Sequence, residues 1–76
     1  MNERITFNPN IMEGRACIRN IRIPVKLVLS LLANGKSISD ILQDYPYLEE
    51  EDIKACLEYA VWLADDKIIP VKYNIL

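Results

Sequence analysis

The amino-acid sequence predicts a single, mostly α-helical domain with short β-strands before the helices and a strand or tail after them. Its 76 residues are enough for one small domain. Apolar residues make up 51% of the chain, which is too many for a disordered segment. They recur at helical spacing through the middle of the chain and alternate with polar residues near its start. These three observations predict one folded helical domain.

Two short strands are predicted at the N-terminal end. Residues 4–7 alternate between polar and apolar side chains, and residues 16–18 form a second short apolar stretch. Arg19 and Asn20 follow, and we expect a tight turn there because Asn tolerates a positive φ. Pro24 suits the first position of a helix, so the strand region ends there.

The first helix is expected over residues 25–34, with Gly35 as its left-handed cap. Only three of those ten positions are polar, so the apolar surface is wider than one core-facing stripe. Such a helix lies at the centre of the domain or at a subunit interface. We therefore expect a homodimer formed through residues 25–34.

A short second helix follows, capped by Ser37 or Ser39 and ended before Pro46. The third helix is expected from Glu49 to about Asp65. The side chains expected on its inward face are Ile53, Cys56, Leu57, Ala60, Val61 and Ala64.

The second and third helices, joined by a tight connection within a three-helix unit, fit a helix-turn-helix arrangement. Many other small helical domains share that pattern, so both interpretations stay open on the pattern alone.

The residue types present exclude several functions. The chain has no His, which is the commonest general acid or base, so we expect no enzyme activity. Cys17 and Cys56 lie far apart in the sequence. We therefore expect free thiols rather than a disulfide framework or a metal site. We expect no cofactor. No apolar run has the length of a membrane helix, and no signal peptide is recognisable, so a cytoplasmic location is expected.

Charge is divided unevenly along the chain. Residues 1–38 hold six Lys or Arg and two acids, whereas residues 39–76 hold three Lys and nine acids. The basic half is compatible with contact with DNA phosphates, although solvated side chains or internal ion pairs are the simpler explanation from charge alone. Acidic residues 49–52 open the third helix and would repel phosphate, so the candidate DNA-binding residues precede it. They are Arg15, Arg19, Arg22, Lys26 and Lys36.

Residues 14–25, with the sequence Gly-Arg-Ala-Cys-Ile-Arg-Asn-Ile-Arg-Ile-Pro-Val, resemble the opening motif of the family called domain of unknown function 433. The similarity continues through residues 31–35, 41–48 and 51–60. It covers about residues 5–64. Asn20 stands where the family pattern has Gly, and Arg22 matches the Arg of the pattern.

The resemblance implies a homeodomain-like helix-turn-helix fold over residues 5–64. It also implies a function, because many members of the family look like antitoxins encoded beside small toxins with a PIN-like nuclease fold. We therefore expect an antitoxin that binds its toxin directly and represses its own operon through promoter DNA. Arg22 is the first residue carried over for DNA contact. Its alternative role is an ion pair with the acidic face of the third helix.

Residues 65–76 lie beyond the resemblance and are expected to form an apolar interaction segment. Such a segment suits strand addition to the toxin, and the alternative is a strand that pairs with residues 4–7 of the same domain or of a dimer mate. The alternative for the whole chain is a dimeric protein–protein adaptor that does not bind DNA. The candidate partner-binding residues are Trp62, Ile68, Ile69, Val71, Lys72, Tyr73, Ile75 and Leu76.

Overall fold

The computed structural model describes residues 3–66. The predicted C-terminal strand and the partner-binding positions from Ile68 to Leu76 lie outside the described residues. Within them the chain is mostly helical, as predicted. The elements are β1 (Ile5–Thr6), a 3₁₀ turn (Met12–Gly14), β2 (Cys17–Ile18), α1 (Val25–Ala33), α2 (Ile38–Asp44) and α3 (Glu50–Asp66).

The two strands pair antiparallel, with Ile5 opposite Ile18 and Thr6 opposite Cys17. The predicted turn after β2 is confirmed: Arg19 has a φ of 44° and Asn20 a φ of 60°. Two consecutive positive φ values favour Asn or Gly at the second position, which explains the Asn. The Ile21 N–H donates to the Ile18 carbonyl across this turn over 2.9 Å.

Local capping sets the ends of α1 and α2. Pro24 precedes the first residue of α1 in an extended conformation. Gly35, with a φ of 93°, ends α1. The Lys36 N–H then returns to the Leu31 carbonyl, as in a Schellman cap. Ser37 caps α2 by accepting from the Asp40 N–H over 3.0 Å, so the first of the two predicted caps is confirmed.

The three helices and the β-ribbon enclose one small core. Its buried side chains come from both strands and all three helices: Ile5, Ile18, Val25, Val28, Ile41, Ile53 and Cys56 are among them. The core lies against the first half of α3, from residue 52 to residue 56. The second half of α3 extends past it.

The expected inward face of α3 is correct for Ile53 and Cys56 but wrong for Leu57 and Val61, which are 42% and 62% exposed. Ala64 is exposed as well. The face that packs inward instead carries Asp52, Ile53, Ala55, Cys56 and, half-buried, Tyr59. A charged residue occupies a core position, so apolar spacing alone selects a face that is rotated around the helix.

No helix among residues 3–66 has the length and apolar character needed to cross a membrane.

Candidate functional site

The carboxylate of Asp52 is fully buried and joins the N-terminal ribbon to α3. Arg19 binds it with two bonds, from Nε to Oδ1 at 3.0 Å and from Nη2 to Oδ2 at 2.7 Å. Arg4 donates from Nη1 to Oδ1 at 2.8 Å. The Glu49 N–H donates to Oδ2 at 2.8 Å, which caps the start of α3. Four donors therefore satisfy one buried carboxylate.

These contacts keep Asp52 ionised. Burial raises the pKa of the carboxyl group, but the hydrogen bonds from Arg19, from the Glu49 N–H and from Arg4 outweigh it. The net effect lowers the pKa to about 2. The hydrogen bonds to Asp52 raise the pKa of the Arg19 guanidinium group. The pKa of the Arg4 guanidinium group is raised by its hydrogen bond to Glu49 and then by its bond to Asp52. The cluster is therefore permanently charged on both sides at neutral pH.

Two of the five predicted DNA-binding residues make internal ion pairs. Arg19 binds Asp52 and also donates to the Tyr47 carbonyl at 2.9 Å. Lys36 lies 3.7 Å from Asp44, and both side chains are about half exposed. Arg19 thus has a structural role, whereas the looser pair of Lys36 leaves its ammonium group accessible.

The other three predicted DNA-binding residues, Arg15, Arg22 and Lys26, are exposed. Arg15, which precedes β2, and Lys26, in α1, line the same groove. Arg22 has a φ of 64°, which is strained for a side chain of this size. Among residues 3–66, the acidic start of α3 pairs with Arg4 and Arg19 and not with Arg22. The ion-pair alternative for Arg22 is therefore wrong.

An apolar face is exposed on the second half of α3. Val61 is 62% exposed, Trp62 is 46% exposed and Leu57 is 42% exposed. The Trp62 ring stacks on Tyr59, with ring centroids 6.0 Å apart. Tyr59 also contacts Phe7, which is itself 45% exposed. We call Leu57, Val61 and Trp62 the α3 outer face.

A groove of about 600 Å³ runs between α1 and the second half of α3. Leu29 and Ala33 of α1 form one wall, and Tyr59 and Leu63 of α3 form the other. Its remaining lining residues are Arg15, Ala16, Pro24, Val25, Lys26 and Ser30. The lining is mainly apolar, with Arg15 and Lys26 as its cationic side chains.

The thiols and acids offer no metal site within residues 3–66, where no three His, Cys, Asp or Glu side chains cluster suitably. Cys17 and Cys56 are buried and unpaired, as free thiols. Burial, together with the nearby charge of Asp52, raises the pKa of the Cys56 thiol to about 12. That thiol is therefore protonated and unreactive at neutral pH.

Sequence reasoning missed Asp52 and Arg4 as the centre of the structure. Asp52 stands in an acidic run, whose usual explanation is a favourable interaction with the helix dipole. One signal was present: Asp52 follows the helix-capping position, Glu49, by three residues, which is the spacing of a reciprocal cap.

The comparisons with known proteins agree with this fold. The model of the family described as "Protein of unknown function (DUF433)" matches residues 5–60. An uncharacterized protein of Sinorhizobium fredii, y4eO, is 34% identical over 58 residues, which are 76% of this chain and 26% of that protein. The chain therefore spans about a quarter of the length of this curated relative.

A crystal structure of a DUF433 member from Anabaena variabilis superposes with a TM-score of 0.77 at 31% identity. The superposition covers 86% of this chain and 64% of that one, somewhat under two thirds. The family model matches well over half of the chain, and the chain belongs to the DUF433 family.

Proposed function

We propose that this chain is the antitoxin of a toxin–antitoxin pair in the cytoplasm. It binds a PIN-like nuclease toxin directly and thereby blocks it. The observation that carries this proposal is the α3 outer face, where Val61 and Trp62 remain exposed although the domain has its own closed core. Exposed aromatic and aliphatic side chains grouped on one helix are typical of a protein interface.

The proposed toxin contact extends from Trp62 along the chain. Residues 67–76 follow α3 directly and supply six further apolar side chains. Lys72 is the residue we propose to meet the acidic catalytic pocket of the nuclease, because carboxylates hold the metal ion in such pockets. In this proposal Trp62 anchors the toxin contact, and residues 67–76 extend the contact surface beyond α3.

Autorepression through promoter DNA is the second part of the proposal. Three exposed cations support it: Arg15 and Lys26, which line one groove, and Arg22, which is held in a strained turn. Arginine and lysine at such positions bind phosphate oxygens. Lys36 is a further candidate, whereas Arg19 acts by holding the ribbon against α3. Helix-turn-helix repressors bind as dimers, and we propose a homodimer through residues 25–34.

A non-DNA-binding adaptor is the alternative, and one observation favours it. The acidic first turn of α3 holds Arg4 and Arg19, so two of the N-terminal arginines are withheld from phosphate. The remaining acids there repel a DNA backbone.

The test of toxin binding is co-expression with the product of the neighbouring open reading frame. We expect that product alone to arrest the growth of a bacterial host, and this chain to restore growth and co-purify with it. A neighbouring product that neither arrests growth nor co-purifies would contradict the antitoxin proposal.

The test of DNA binding is the salt dependence of promoter-duplex binding, measured by fluorescence anisotropy. Replacing both Arg15 and Lys26 by Ala should reduce the slope of log K against log salt by about 1.8, since each phosphate contact contributes about 0.9. Lys54→Ala, an exposed lysine on α3, is the matched control and should leave the slope unchanged. Equal slopes for all three proteins would favour the adaptor.

A further inference from the structure

We propose that the groove between α1 and α3 is the binding site for residues 67–76 of the same chain. The groove has a volume of about 600 Å³, a mainly apolar lining and walls from two helices. No side chain among residues 3–66 fills it. When a tethered apolar segment covers an open apolar groove, both surfaces are removed from water and the free energy of the protein falls.

The position of the segment along the chain supports this assignment. Leu63 forms part of the groove wall and lies one helical turn before Asp66, where α3 ends. Residues 67–76 span about 33 Å at full extension, whereas α1 is only about 14 Å long. The segment is therefore long enough to return along the whole groove. A tether this short holds it at an effective concentration of the order of millimolar.

The chemistry of the segment matches the groove lining. Most of its residues are apolar, and its two charged residues, Lys67 and Lys72, are both basic. It supplies no acidic side chain for Arg15 or Lys26 of the groove, so the contacts of its side chains with the groove are apolar rather than ionic. Raising the salt concentration should leave it intact, unlike a complex with an acidic partner segment. The apolar residues of the segment are Ile68, Ile69, Val71, Tyr73, Ile75 and Leu76.

The inference stands apart from the proposed function, because it concerns the free monomer. The proposed homodimer and the proposed DNA contact of Arg15 and Lys26 use the same groove and would compete with the segment for it. If the same residues also bind a toxin, the groove and the toxin compete for them. The groove then keeps an apolar segment away from water until a partner removes it.

The experiment uses the 76-residue chain with a nitroxide label on a Lys72→Cys variant. Cys17 and Cys56 are buried, with exposures of 2% and 0%, so the label attaches to position 72. We expect the amide NMR signals of Leu29, Ala33 and Leu63 to lose most of their intensity. Signals from α2, which contributes no lining residue, should keep theirs. The loss should be unaffected by salt.

Two controls separate this outcome from others. Ala33→Trp fills the groove from an exposed position and should restore the signals of Leu29 and Leu63, whereas Gln43→Trp, exposed on α2, should not. The mixing control is made at a concentration where light scattering reports a monomer, because the proposed homodimer would itself bring two chains together. In a mixture of labelled chain and unlabelled, ¹⁵N-enriched chain at that concentration, the ¹⁵N signals should remain sharp. Broadening in that mixture would assign the groove to a second copy and overturn the proposal. Two results with the labelled chain alone would also overturn the proposal: groove signals that keep their intensity, or an intensity loss that remains in the Ala33→Trp variant.

Discussion

The guanidinium group of Arg19 forms a two-bonded ion pair with the buried carboxylate of Asp52, 33 residues further along the chain. The two nitrogens lie 3.0 and 2.7 Å from the two carboxylate oxygens. Paired bonds of this kind are more directional and stronger than single neutral hydrogen bonds. This pair fixes the turn after β2 to the first turn of α3, and so positions the exposed Arg22 relative to the helices.

Replacing Asp52 by Asn should destabilise the fold by about 2–3 kcal/mol. The variant removes the charge that Arg4 and Arg19 share, and breaking a buried pair from one side is costly. The cost is smaller than for a fully buried pair, because the arginine side chains are 32% and 34% exposed. Urea unfolding measures it. Glu49→Gln, which removes only the exposed partner of Arg4, should cost about 0–1 kcal/mol. Equal costs for the two variants would contradict the central role of Asp52.

Acid should remove the contribution of Asp52 to stability. Its pKa in the folded protein is about 2, below the ordinary value of 3.8, so the folded state binds fewer protons than the unfolded state. The stabilisation is therefore present above about pH 4 and is lost as pH falls towards 2. It amounts to about 2 kcal/mol. The difference in unfolding free energy between the wild type and Asp52→Asn should shrink over this range. A constant difference would contradict this reasoning.

Much of this fold follows from local sequence, and the reasons are physical. The turn at Asn20 and the end of α1 at Gly35 depend on φ preferences of single residues, so the sequence predicts them. The predicted burial of Leu57 and Val61 is wrong because helical spacing of apolar residues does not reveal that the charged Asp52 lies on the buried face. Whether an arginine binds DNA or a carboxylate depends on contacts between distant residues.

Replacing Arg22 by Gly should leave the fold equally stable or stabilise it by up to about 1 kcal/mol. The φ of Arg22 is 64°, a conformation that costs a non-glycine residue about 1–2 kcal/mol. Glycine removes this strain but loses more entropy on folding, which offsets about half of the gain. Thermal unfolding measures the result. Under the proposed DNA role, the same variant should bind promoter DNA more weakly. A clear loss of stability would show that the side chain makes a structural contact.

The thiol of Cys56 should resist modification while the protein is folded. Burial and the charge of Asp52 raise its pKa to about 12, so almost no thiolate exists at pH 8. Reaction with a disulfide reagent such as dithionitrobenzoate should therefore occur only when the protein unfolds. The rate should rise with urea in parallel with the unfolded fraction. Fast reaction of the Cys17→Ser variant in native buffer would contradict this assignment.

The central claim, that the α3 outer face binds a partner protein, is tested most directly by calorimetric titration of the purified neighbouring gene product. Trp62→Ala should weaken the complex by about 2 kcal/mol, or roughly 30-fold, as expected for an aromatic anchor. Tyr47→Ala is the matched control, because the Tyr47 side chain is 78% exposed and lies on the loop before α3. It should bind like the wild type. Equal affinity of all three proteins for the partner would contradict the claim.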